Sequence, residues 1–258
     1  MVGFRAALAS LLAFGTSKVR WQRLRGQQNR AKGANGTCTR PIDLMKKTQI
    51  EEMFYRLATL KPDPRGELNY RNTYTLLVAV VLSAQATDAG VNKATRTLFA
   101  RADSPAKMIA LGEHTVREYI RTIGLYKNKA KNVISLSRKL IDEFDSQVPQ
   151  TREELESLPG VGRKTANVVL NIAFGAPTIA VDTHLFRVGN RTGLAPGETP
   201  LEVELGLEKK VPAAYKRHAH HWLILHGRYV CKARKPECPI CPIQDLCGFS
   251  EKTEPEPV

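Results

Sequence analysis

The sequence predicts an all-α protein. Three observations carry this: apolar residues recur in steps of three and four from Asp43 onward, two helix-start signatures punctuate the chain, and no hairpin dipeptide or second strand accompanies its one strand-like segment. That segment, Tyr74 to Leu82, is rich in Val and Leu and reads as a buried helix because nothing follows to pair with it. Of the 258 residues 42% are apolar, enough to bury a sizeable core. The longest solid apolar run, Leu76 to Leu82, is far short of the roughly 20 residues that span a bilayer, which excludes a multi-span membrane protein.

Charge narrows the class of partner. Lys and Arg number 39 against 25 Asp and Glu, a net charge of +14, so a polyanion is the natural partner. Eight of the basic residues lie within residues 1–42, which hold no acidic residue. This Gly-, Gln- and Asn-rich leader reads as a mostly disordered tail, either a plain basic extension or an organelle transit peptide.

The elements follow in order. Ile50, Met53, Phe54, Leu57 and Leu60 share one helical face, and Pro62 and Pro64 end that helix. Ala130, Val133, Ile134, Ser137, Leu140, Ile141 and Phe144 extend the same periodicity over four turns. Thr151 with Glu154, and Thr199 with Glu202, read as capping boxes that open two further helices. The acidic, Pro-containing residues 250–258 read as a frayed end.

Between two helices lies Leu158-Pro159-Gly160-Val161-Gly162-Arg163-Lys164-Thr165-Ala166, a glycine hairpin. Glycines there permit backbone angles and close approach that a side chain would block, and they leave amides at the next helix's N-terminus for a phosphate oxygen. Such a hairpin grips a DNA backbone without reading sequence; a Gly-x-Gly turn also simply connects helices. Lys164 falls in the first helical turn beside Arg163, where the macrodipole disfavours its ammonium form. It reads either as a nucleophile or as a solvated lysine that grips phosphate. Eighteen residues on, Asp182 precedes a new helix as its N-cap; a carboxylate there can also stabilise positive charge developing on a sugar.

Cys231, Cys238, Cys241 and Cys247 fall within seventeen residues, while the rest of the chain holds only Cys38. Four thiolates this close can converge on zinc or on a [4Fe-4S] cluster, and the spacing alone does not choose. Polar flanks offer these cysteines no apolar core to join, and His226 nearby is unnecessary as a ligand once four cysteines are present. The basic loop Lys232, Arg234 and Lys235 between the first two cysteines would be held ready to meet phosphates.

Taken together, these stretches resemble the endonuclease III family of helix-hairpin-helix DNA glycosylases with abasic-site lyase activity. The resemblance covers about residues 46–249. It rests on Leu82 to Asp88, Ile123 to Tyr126, Leu158 to Val169, Val181 to His184, His220 to Arg228 and the four cysteines. It implies two helical lobes flanking a DNA-binding cleft. One is a six-helix barrel with the hairpin over 66–175; the other joins 43–65 to 176–249 and carries a C-terminal [4Fe-4S] loop.

The resemblance further implies Lys164 and Asp182 as catalytic residues and the four cysteines as cluster ligands. Gln85 and Leu125 would fill the gap left by a flipped nucleotide, although read alone they are a helix-end cap and a core leucine. Gly160, Val161, Gly162, Arg163, His184 and Lys235 complete the expected DNA contacts. The expected substrate is double-stranded DNA with oxidised or ring-saturated pyrimidines or abasic sites, handled by a monomer in the bacterial cytoplasm at the nucleoid, or in a mitochondrion or nucleus if the leader is a targeting segment. The alternative is a non-catalytic or monofunctional, mismatch-type helix-hairpin-helix protein.

Overall fold

The structure is a computed structural model that describes residues 44–255; the leader and Cys38 lie outside the described residues. Among the described residues there are ten α-helices and no strand: α1 Lys47–Leu60, α2 Thr73–Ser83, α3 Asp88–Arg101, α4 Pro105–Tyr119, α5 Tyr126–Phe144, α6 Arg152–Glu156, α7 Arg163–Phe174, α8 Thr183–Thr192, α9 Pro200–Lys210 and α10 Lys216–Tyr229. Short 3-10 turns precede α10 and shape the cysteine loop. None of these helices is long and apolar enough to cross a membrane.

Local chemistry sets most helix starts. The Asn72 side chain accepts from the Thr75 amide to open α2, and Thr87, Ser104, Thr151 and Thr199 open α3, α4, α6 and α9 in the same way. The two expected capping boxes form only their threonine half. Glu154 accepts from the Thr151 hydroxyl at 2.6 Å, and Glu202 takes the amide of Glu198, one residue before the cap. Their carboxylates found closer donors than the cap residue's own amide.

Helices α2 to α7 close around one continuous core running from Tyr74 to Leu170. Every residue of α2 from Tyr74 to Leu82 is buried, as its uninterrupted apolar run requires. A polar link between helices inside this core, the 2.6 Å bond between the Tyr74 hydroxyl and Ser137 Oγ, is itself satisfied, since Ser137 also donates to Val133 O. In α5 the buried face is centred on Val133, Leu136 and Leu140, and Ile141 lies at its exposed edge. Leu60 is likewise 67% exposed, at the last residue of α1.

A second group of contacts joins α8 to α9 and α10, and α10 to α1. Its centre is aromatic: the Phe54 ring lies 5.8 Å from Tyr215 and 6.4 Å from Trp222. Trp222 Nε1 donates to Lys61 O at 2.8 Å, fixing the chain as it leaves α1. Polar links tie this group to α3 and α7. Arg228 donates to Asp88 Oδ2 at 2.9 Å and to Glu67, and Arg163 pairs with Glu204.

Candidate DNA-lesion site and iron-sulfur centre

The hairpin rests on apolar feet. Leu155, Leu158 and Val161 are buried below it, and Gly160 turns the chain at φ +82°. A Cβ on Gly160 would also come within 2.8 Å of the Asn132 side chain, so this position is closed twice over. Gly162 differs: its φ is −111° and a Cβ there would meet nothing within 4 Å. The protein's own packing does not demand glycine at 162; the space in front of it is open. Val161 departs from expectation, since its side chain is buried and its amide is spent on Leu158 O at 3.0 Å. What remains for an anion is the N-terminus of α7, whose cap residue Gly162 supplies no side-chain bond.

Arg163 does not point its charge outward freely. Its Nε and Nη2 both meet Glu204 Oε1, at 2.9 and 2.8 Å, and Glu204 is buried. The guanidinium thus anchors α7 to α9, a pairing across 41 residues that local sequence does not reveal. Lys164 is exposed one residue later.

Asp182 caps α8 with one oxygen. Oδ1 accepts from the amides of His184 and Leu185 at 2.8 and 2.9 Å, which leaves Oδ2 outside the cap. His184 is half-buried, with Nδ1 3.2 Å from Arg187 Nη2. Beside these groups lies His220 on α10. Burial pushes its pKa down to about 3, assisted by His221 and by the Lys164 ammonium and opposed by the Asp182 carboxylate. One buried ring is therefore within electrostatic reach of both Lys164 and Asp182.

Gln85 is not a helix cap, and Leu125, which stands at the N-cap of α5 without a side-chain bond, is not a core leucine. Gln85 is exposed with φ +55°, and Leu125 is 55% exposed with φ +59°. Left-handed backbone is costly for such residues, and here both strained positions sit in loops that adjoin, since a Cβ on Gly124 would lie 3.8 Å from Gln85 O.

Cys231, Cys238, Cys241 and Cys247 line one cavity together with His226, Ile243 and Phe249. Four cysteine sulfurs around one cavity are a donor set that a [4Fe-4S] cluster accepts. Burial raises the Cys241 thiol to about 11, and a bound cluster would require this sulfur as a thiolate ligand, so its binding would release a proton. His226, 3.8 Å from Cys241 Sγ, is held neutral by burial and stands beside the set as a contact.

The loop around these cysteines is held by side chains that the sequence did not single out. Arg187 donates to Cys231 O and Gly227 O at 2.9 and 2.6 Å; Arg191 donates to Lys232 O and Ala233 O and lies 4.6 Å over the Phe249 ring. Arg56 of α1 forks onto Asp245 at 2.7 and 3.1 Å and onto Pro242 O. Thr253 accepts from the Cys238 amide and donates to Pro236 O at 2.6 Å, so the chain expected to fray from residue 250 is tied down as far as 253. Lys235 sits exposed on the loop.

Comparison with known proteins agrees with this architecture. Residues 78–213 match the HhH-GPD superfamily of base excision DNA repair proteins, and residues 231–247 match the iron-sulfur binding domain of endonuclease III. The chain is 56% identical to Endonuclease III of Escherichia coli K12 over 210 residues, covering 81% of this chain and all of that protein. It is 55% identical to Endonuclease III of Rickettsia conorii over 200 residues, 78% of this chain and 95% of the relative. Among solved structures it superposes on a trapped endonuclease III–DNA covalent intermediate with a TM-score of 0.74 and 48% identity, covering 79% of this chain and 96% of that one. The fold and hairpin define a helix-hairpin-helix protein of base excision DNA repair. More narrowly, the chain belongs to the endonuclease III family, a DNA glycosylase and abasic-site lyase that binds DNA and carries a [4Fe-4S] cluster.

Proposed function

We propose that this enzyme removes oxidised or ring-saturated pyrimidines from double-stranded DNA and then cuts the strand 3′ to the lesion through a Schiff base on Lys164. The observation that carries this reading is the pair of helix starts: Lys164 stands exposed in the first turn of α7, and Asp182 caps α8 through Oδ1 alone, which leaves Oδ2 outside the cap. Both groups act electrostatically on the buried His220 ring. The trapped covalent complex of the similar endonuclease III supports this reading.

In this reading Lys164 Nζ attacks C1′ of the flipped nucleotide as the C1′–N bond breaks. The bonding electrons leave with the base, which takes up a proton, and the amine gives up one. Asp182, through the oxygen its cap leaves over, stabilises the positive charge that develops on the sugar. Ring opening gives the iminium, a proton leaves C2′, and the C3′–O bond breaks with the phosphate as leaving group. Water then releases the lysine.

Gln85 and Leu125, exposed on strained backbone, fill the space vacated by the nucleotide. The amides at the start of α7, with Gly160 and Gly162 around the turn, hold a phosphate, and His184 and Lys235 contact the duplex. When bound, the cluster supplies a rigid staple for residues 231–247. The protein acts as a monomer, divided into lobes at 66–175 and at 43–65 with 176–249.

Borohydride reduction in the presence of an abasic or thymine-glycol duplex tests the reading. The wild type should become covalently linked to DNA, and Lys164→Gln should fold, bind and form no adduct. An adduct with Lys164→Gln would move the chemistry to another amine. Asp182→Asn, which keeps most of the cap, should change stability by about 1 kcal/mol or less while slowing base release by orders of magnitude. Normal turnover in that variant would reduce Asp182 to a cap.

A further inference from the structure

Lys164 and Asp182 belong to different helices, and the chain between them, from Gly175 to Val181, has no helix of its own to hold it. Its carbonyls need partners when buried. Helix α7 supplies them from one face. Asn167 and Asn171, three and seven residues after Lys164, are fully or almost fully buried in a helix whose other buried residues are Ala166, Val169 and Leu170. Asn171 Nδ2 donates to Ala176 O at 3.0 Å, Thr178 O at 3.2 Å and Arg217 O at 3.1 Å. Asn167 Nδ2 reaches Ile179 O at 3.4 Å while its Oδ1 accepts from Arg152 Nε at 2.9 Å. Thr178 closes the ladder by donating Oγ1 to Asn167 O at 2.7 Å.

Buried amides survive only when bonded. Ala176 O also accepts from the Thr178 amide at 2.8 Å, but leucine at 171 would take the side-chain donor from Thr178 O, and leucine at 167 would take it from Ile179 O. The ladder fixes Thr178 and Ile179 against α7, and Asp182 follows three residues later. We infer that Asn167, Asn171 and Thr178 are positioning residues that set the register of Asp182 against Lys164 by bonding residues 176–179 to the helix carrying the nucleophile. This rests on the roles proposed above for those two groups.

The two chemical steps make unequal demands on that register. Releasing a base needs the carboxylate beside a sugar that becomes cationic, and a misplacement of about 1 Å can cost about 100-fold. A preformed abasic site already offers an aldehyde, so the amine alone starts the reaction. Loosening the ladder should therefore slow base release and spare strand cleavage at abasic sites.

The experiment measures single-turnover base release from a thymine-glycol duplex, and cleavage and borohydride trapping on an abasic duplex. Thr178→Val removes one hydroxyl and keeps the branched shape. It should slow base release about tenfold with abasic cleavage unchanged within about twofold, and Thr178→Ser should restore the rate. Asn171→Leu should lower base release about 100-fold with trapping retained. If Asn171→Leu fails to fold, the threonine pair still decides. Equal losses in both reactions, or no loss in either, would overturn the inference. A wild type that forms no adduct on the abasic duplex would remove the Lys164 assignment and this inference with it, an outcome distinct from both.

Discussion

The hairpin and the cysteine loop are both irregular segments that place charge at a surface, but they are held by opposite means. Under the hairpin, Leu155, Leu158, Val161 and Ala166 are buried in the core that α2 to α7 share. Within the cysteine loop only Pro236 and Ile243 are buried; the loop is tied by Arg56, Arg187, Arg191 and Thr253, almost all of them donating to backbone carbonyls. Non-directional burial suffices for a six-residue turn between two helices. A loop of seventeen residues rich in proline has too little apolar surface to order itself, so directional bonds and a cofactor must set its shape.

The largest test of this contrast is Cys238→Ser. The loop from 231 to 253 should become open to limited proteolysis and lose iron and sulfide, while the circular dichroism of the helices α2 to α7 is retained. Joint loss of both regions would show that the core also depends on the cluster. Leu158→Ala does the converse: it should cost about 2–5 kcal/mol in denaturant unfolding and weaken DNA binding through the hairpin, with iron content unchanged.

Acid separates the regions by a third route. The hairpin core buries no histidine, whereas α10 buries His220 and His221, held by burial near about 3 and 4. His220 also faces His221, Lys164 and Asp182, and His221 faces His218 and Asp63. Their folded pKa values lie below the unfolded value of about 6.5, so as pH falls below it the unfolded chain binds protons that the folded chain does not. Stability is full above that pH and declines down to about 3, by on the order of a few kcal/mol. Iron release should precede loss of helicity in an acid titration, and His221→Gln should flatten the slope.

The smallest effect is expected from Lys235→Ala on the loop. It should weaken binding to all duplexes alike and lower the salt slope by about one. An effect confined to one lesion would mean that the loop reads damage and does not merely track phosphates.

Much of the site was legible wherever neighbours in sequence define the chemistry. Asp182 as N-cap, Lys164 in the first turn of α7 and the four-cysteine set all depend on spacings of a few residues. The hairpin was legible too, but only Gly160 proved obligatory by φ and packing, because whether a side chain fits at 162 depends on what faces it. The roles of Asn167 and Asn171 left a faint signal, two amides spaced by four in an apolar helix. Their partners could not be inferred, since the acceptors at 176, 178 and 179 lie beyond the helix end and Arg217 O lies 46 residues away.

The sequence by itself determined that the chain is helical, where its helices begin, that one group of cysteines shares a site and which lysine stands at a helix start. Periodicity, capping and ligand spacing are short-range properties that survive without knowledge of the rest of the chain. Only the tertiary structure decided that Arg163 serves Glu204, that Arg56 reaches Asp245 across 189 residues, that Thr253 closes the cysteine loop and that Gln85 and Leu125 stand exposed on left-handed backbone. Those outcomes depend on which distant segment arrives first with an acceptor, and a buried charge or a strained φ is tolerated only when the packed surroundings hold it.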